Sequence, residues 1–140
     1  MLDQSIIFLF AALIIVGGLL FAFIGFNRKG SRQLDVEKYR VKWLKIEQCL
    51  KRSEPSSCSL AILEADKLVD QALKDRGFVG DTMGERMKYA SKSFSDRNGV
   101  WAAHKLRNKL AHETDFSVSY DQARQALAGF KKALKDVGAI

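Results

Sequence analysis

Apolar positions divide the chain into two regimes. From Ile6 to Phe26 every residue is apolar or glycine and none is charged. As an α-helix rising 1.5 Å per residue, such a run spans the ~30 Å hydrocarbon core of a bilayer. From residue 34 onward, apolar residues instead recur at spacings of three and four, the signature of amphipathic helices. Val36, Tyr39, Trp43, Ile46 and Leu50 predict a helix over Leu34–Lys51. Ser53-Glu54-Pro55-Ser56-Ser57 predicts a turn, whose serines are suited to cap the next helix. That second helix is expected over Cys58–Arg76, with Leu60 or Ala61, Leu63 or Ala65, Leu68, Ala72 and Leu73 inward and Gly77 as C-terminal cap. Its Glu64, Asp66, Asp70 and Asp75 are expected on the outside. Thr82 followed by Glu85 reads as a capping box opening a short helix to about Lys92, with Met83, Met87 and Tyr89 or Ala90 inward. Asp96 or Asn98 is placed to cap a helix over Gly99–Glu113. Ser119 with Gln122 is a second capping box, and Tyr120, Ala123, Leu127, Phe130, Leu134 and Val137 give the clearest periodicity in the chain, ended by Gly138.

The fold class expected is therefore all-α: one N-terminal transmembrane helix and a compact bundle of four to five helices. The boundaries are 1–27 for the anchor, 28–33 for a basic juxtamembrane linker and 34–140 for the bundle. A cleaved signal peptide fits less well, since no basic residue precedes the apolar run, the run exceeds a signal peptide's apolar segment, and no small-x-small site precedes Arg28. Asp3 is the only charged side chain before the run, whereas Arg28, Lys29 and Arg32 come after it. The positive-inside rule then puts the N-terminus outside the cell membrane and the bundle in the cytoplasm. The short anchored format without a eukaryotic targeting signal suggests a prokaryote.

Charge adds a candidate surface. Across its 140 residues the chain carries a formal charge of +7, which suggests an anionic partner without choosing between lipid and RNA. Much of the excess lies at the linker and first helix, where Arg28, Lys29, Arg32, Lys38, Lys42 and Lys45 are the candidate contacts to anionic lipid or RNA. A topology signal followed by an ordinary solvated helix face accounts for them equally well. Cys49 and Cys58 flank a predicted turn, where a disulfide is conceivable, and reduced thiols are the stronger expectation in the cytoplasm. The acidic residues of the second helix read as a solvated face. No metal ligand set is assigned and no cofactor is expected.

The candidate chemistry lies in Ala103-His104-Lys105-Leu106-Arg107-Asn108-Lys109-Leu110-Ala111-His112, which holds both histidines of the chain. On a helix, His104, Asn108 and His112 recur every fourth residue, Trp101 begins the stripe, and Arg107 sits at its edge. Imidazoles shuttle protons at neutral pH and a guanidinium holds phosphate. Arg107-Asn108, three residues and then His112 resembles the motif of the HEPN domains, in which an arginine, often followed by a polar residue, precedes a histidine by a short gap. The resemblance covers residues 34–138, and only Arg107–His112 is diagnostic.

The resemblance implies a metal-independent endoribonuclease in which two copies face one shared cleft. Arg107 would bind the scissile phosphate and His112 would act as acid or base, with Asn108 orienting it. His104 is not part of the family motif, and its supporting role rests on the helical stripe alone. The resemblance also implies an RNA substrate, a homodimer, an antitoxin or other protein partner, and a defence or toxin-type setting. Where some HEPN toxins carry a modifiable tyrosine two residues after the histidine, this chain has Thr114, which argues against control by that route. A second reading makes the chain a non-catalytic, membrane-anchored interaction or scaffold module, with the same residues buried or mutually paired. A third makes it a lipid- or peptide-binding adaptor acting through the basic first helix.

Overall fold

The computed structural model describes residues 3–27 and 32–140. Six α-helices and one 3-10 turn account for its regular structure, with no strand among the described residues. The first, α1 (Gln4–Asn27), is long and apolar enough to cross a membrane, and none of its apolar span is buried against other protein. The helices α2 (Val36–Cys49), α3 (Pro55–Arg76), α4 (Met83–Tyr89), α5 (Arg97–His112) and α6 (Tyr120–Asp136) form a helical bundle. The all-α expectation therefore holds, including the apolar helix ahead of the bundle.

Helix boundaries reflect local chemistry. Asp35 caps α2 by accepting from the Lys38 N–H. Both capping boxes form completely, Thr82 with Glu85 at α4 and Ser119 with Gln122 at α6. Asp96, rather than Asn98, caps α5 through the Gly99 N–H. Gly77 ends α3 with φ of 98°, a left-handed conformation that glycine adopts without a Cβ penalty. The start of α3 differs from expectation. Pro55 opens the helix rather than lying in the preceding turn, because its missing N–H is one the first turn leaves unpaired anyway. Ser57 Oγ accepts from the Lys51 N–H and donates to the Glu54 carbonyl, which ties the α2–α3 turn together.

Helix α3 is the centre of the bundle, packing on α2, α5 and α6. Its small residues allow this: of the alternatives at its first turns, Ala61 and Ala65 face inward, while Leu60 is exposed and Leu63 half-buried. Tyr39, Trp43 and Ile46 of α2 pack on one side, and Leu127, Phe130 and Leu134 of α6 on the other. Tyr39 also donates from its hydroxyl to Asp75 Oδ2 at 2.5 Å. Burial and that carboxylate together push the phenol well above its usual range. Helices α5 and α6 cross closely at Gly129. A Cβ there would lie 2.7 Å from the Gly99 carbonyl oxygen. On α4, Met83, Met87 and Ala90 point inward and Tyr89 outward. Cys49 is exposed, Cys58 is buried, and both thiols are free.

Candidate functional site

The expectation that the acidic residues of α3 lie on the outside fails at Asp66, which is 3% exposed. Ile62, Asp66, Val69 and Leu73 succeed one another at spacings of four, three and four, so the aspartate sits within the apolar stripe. That register carries it under α5. There His104, 9% exposed, places Nδ1 2.7 Å from Asp66 Oδ1. On the same aspartate, Arg107 Nε lies 3.2 Å from Oδ2, an ion-pair contact without the alignment of a hydrogen bond.

Asn108 completes the cluster. Its Oδ1 accepts from Arg107 Nη1 at 3.1 Å, and its Nδ2 approaches His104 Nε2 at 3.4 Å. The hydrogen-bond roles that fit the Asn108 amide have His104 donating from Nδ1 to Asp66 and accepting at Nε2 from Asn108. The four side chains then form a ring, Asp66 to His104 to Asn108 to Arg107 and back to Asp66. Both imidazole nitrogens and both carboxylate oxygens are engaged. Trp101 closes one flank, its ring meeting the His104 ring edge-on at 6.1 Å between centroids.

The ring borders an open groove of about 640 Å³ between α3, α4 and α5. A second ion-pair cluster lies on it. Arg86 of α4, 6% exposed, donates from Nε to Asp70 Oδ1 at 2.7 Å and from Nη1 to the Gly80 carbonyl. Lys74 Nζ reaches the other Asp70 oxygen at 2.8 Å. Burial works against ionisation of Asp70, but the hydrogen bonds from Arg86 and Lys74 outweigh it and hold the carboxyl below its usual range. Four carboxylates line the groove (Glu64, Asp66, Asp70, Asp81) against three permanent cations (Lys67, Arg86, Arg107). Among the described residues, no group of three or more His, Cys, Asp or Glu is placed to hold a metal ion.

The structure thus brings together His104, Arg107 and Asn108 and leaves His112 apart. Five residues of α-helix rotate about 140° and rise about 7.5 Å, so His112 points away from the α3 side that Arg107 faces. It is exposed at the last position of α5 and has no hydrogen-bond or ion-pair partner among the described residues. Of the candidate anion contacts, Arg28 and Lys29 lie outside the described residues. Arg32 is exposed and its carbonyl accepts from Arg76 Nη1 at 2.7 Å. Lys38, Lys42 and Lys45 are exposed on α2.

Sequence reasoning missed Asp66, Asp70 and Arg86. A signal for Asp66 was present, an acid at an inward position of an apolar stripe. For Arg86 there was none, because its partner lies sixteen residues away on another helix. No protein-family model, curated protein or solved structure matches the chain.

Proposed function

We propose that the chain is a membrane-anchored helical interaction module of HEPN-like type, with α1 as a single-pass anchor and the bundle in the cytoplasm. In this reading the Arg107 cluster fixes α5 on α3 instead of transforming a substrate. The observation that carries it is the ring of Asp66, His104, Asn108 and Arg107. RNA cleavage needs an imidazole nitrogen free to take or give a proton and a guanidinium free to hold phosphate. His104 has both nitrogens occupied, Arg107 is turned to a buried carboxylate, and the other arginine of the adjoining groove, Arg86, is likewise paired with an aspartate. A buried ion pair and its hydrogen bonds, even with Arg107 Nε left without an aligned acceptor, favour one way of packing the two helices.

One observation favours a second reading, a metal-independent endoribonuclease. His112 is a free, exposed imidazole, and the Arg107 side chain is 36% exposed. A second copy would have to bring its His112 to this Arg107, as pairing of HEPN domains implies. The antitoxin-type partner and the defence role belong to this reading.

The full chain in detergent, incubated with mixed-sequence RNA in EDTA beside Arg107→Ala and His112→Ala, separates the two. The interaction module predicts no cleavage by the folded parent. Cleavage by the parent that leaves 2′,3′-cyclic phosphate ends, and is lost in both variants, would replace the module with the nuclease.

A further inference from the structure

Two helix stripes with the same spacing face each other across an open groove on the side of the bundle formed by α2 and α3. Lys38, Lys42, Lys45 and Cys49 succeed one another at four, three and four residues on α2, and Leu60, Glu64, Lys67 and Gln71 do so on α3. The groove between them holds about 380 Å³ over an apolar floor of Ile46, Ala61 and Leu68. Leu60 at its edge is 51% exposed. Three lysines on its rim (Lys42, Lys45, Lys67) face one carboxylate, Glu64. None of the three makes a hydrogen bond or salt bridge among the described residues, while the Asp75 carboxylate is close enough to feel the charge of Lys42. Apolar side chains rimmed by more lysines than carboxylates complement a surface with anionic headgroups above an apolar interior.

The connection to α1 selects that surface over a soluble partner. Eight residues (28–35) separate Asn27, the end of α1, from Val36, the start of α2, a reach of at most about 29 Å when fully extended. Arg28, Lys29 and Arg32 lie in this connector, so the positive charge runs on from the connector into the α2 stripe.

We propose that the α2–α3 face lies on the anionic headgroup surface of the membrane that α1 crosses. Lys42, Lys45 and Lys67 then contact lipid phosphates, and Leu60 enters the interface. This rests on the reading of α1 as an anchor, and it places the α3–α4–α5 groove at the edge of the membrane-facing side, since Glu64 and Lys67 line both grooves.

Cys49 lines the groove and is the natural probe, since Cys58 is buried. The full chain is placed in nanodiscs of phosphatidylcholine, alone or mixed with phosphatidylglycerol, and modified with a neutral water-soluble maleimide. Co-elution with the discs is read first. A chain that does not co-elute overturns the anchor, and this orientation with it. Given co-elution, Cys49 is expected to react about fivefold or more slowly in the anionic discs, the effect of even one cation near such a surface. The protection is expected to vanish in Lys42→Glu/Lys45→Glu/Lys67→Glu and at about 0.5 M salt, where screening is short-ranged. A reference thiol on α6, Gln125→Cys with Cys49→Ser, should react alike in both discs. Equal Cys49 rates in the two discs, or protection that survives the triple substitution, would overturn the proposal. Protection in both lipids would assign the groove to a protein occupant instead.

Discussion

Asp70 illustrates how one carboxylate on this bundle acquires two cations. It lies where α3 faces α4, so Arg86 reaches it from the neighbouring helix and Lys74 from one turn along its own. Asp70→Asn leaves the nearly buried Arg86 without its charged acceptor and should cost about 2 kcal/mol at neutral pH. Because the folded carboxyl is held below its ordinary value of 3.8, this stabilisation is present above pH 4 and is lost as pH falls through the folded value. Melting temperatures of the parent and Asp70→Asn should therefore differ by a constant amount from pH 7 to about pH 5 and converge below about pH 4. Tyr39 makes the complementary case. Its hydroxyl serves Asp75, whose carboxyl this hydrogen bond lowers. Tyr39→Phe should lower stability by about 1 kcal/mol while leaving the ring packed, measurable by denaturant unfolding followed through the two tryptophans, both of which lie in the bundle.

At the scale of elements, the bundle helices were readable from their apolar periods, and α4, α5 and α6 also from their start signals, whereas the start of α3 at Pro55 was not. Asp35, Thr82, Asp96 and Ser119 cap where their side chains can reach the second or third N–H of the adjoining turn. The packing between helices was less readable, because it depends on which small residues face which backbone. Gly129 is an example: nothing in its local sequence marks it, yet it permits the α5–α6 crossing at Gly99. Gly129→Ala tests this directly. In an isolated helix alanine is favoured over glycine by about 1 kcal/mol, but here the added Cβ would lie 2.7 Å from a carbonyl oxygen of α5. The substitution should destabilise by about 1–3 kcal/mol, seen as a lower urea midpoint. An unchanged or raised midpoint would mean that the crossing is looser than described.

Across the whole molecule, sequence singled out a polar cluster on α5 but not the residues of other helices that join it. His104, Arg107 and Asn108 were singled out by helical spacing, and they do converge. The residue that organises them comes from α3, thirty-eight positions before His104, and only the tertiary fold puts it there. That buried carboxylate holds the catalytic candidate Arg107 on one oxygen and the supporting candidate His104 on the other. His112, expected to act with Arg107, belongs to another side of the same helix. The bundle therefore presents two unlike faces. One is the polar α3–α4–α5 groove with its paired arginines, and the other is the lysine-rimmed α2–α3 groove, with Glu64 and Lys67 on the border between them.

The most direct test of the central claim, that Arg107 serves the packing of α5 on α3, is a double-mutant cycle on Asp66 and Arg107. Unfolding free energies of the full chain in detergent would be measured for the parent, Asp66→Asn, Arg107→Gln and the pair, using tryptophan fluorescence. Both singles should be destabilised, and because Arg107 is partly solvated the coupling should be about 1–2 kcal/mol, short of the 3–5 kcal/mol cost of breaking a fully buried pair. A coupling near zero, with Arg107→Gln as stable as the parent, would contradict the account and leave Arg107 free for a ligand.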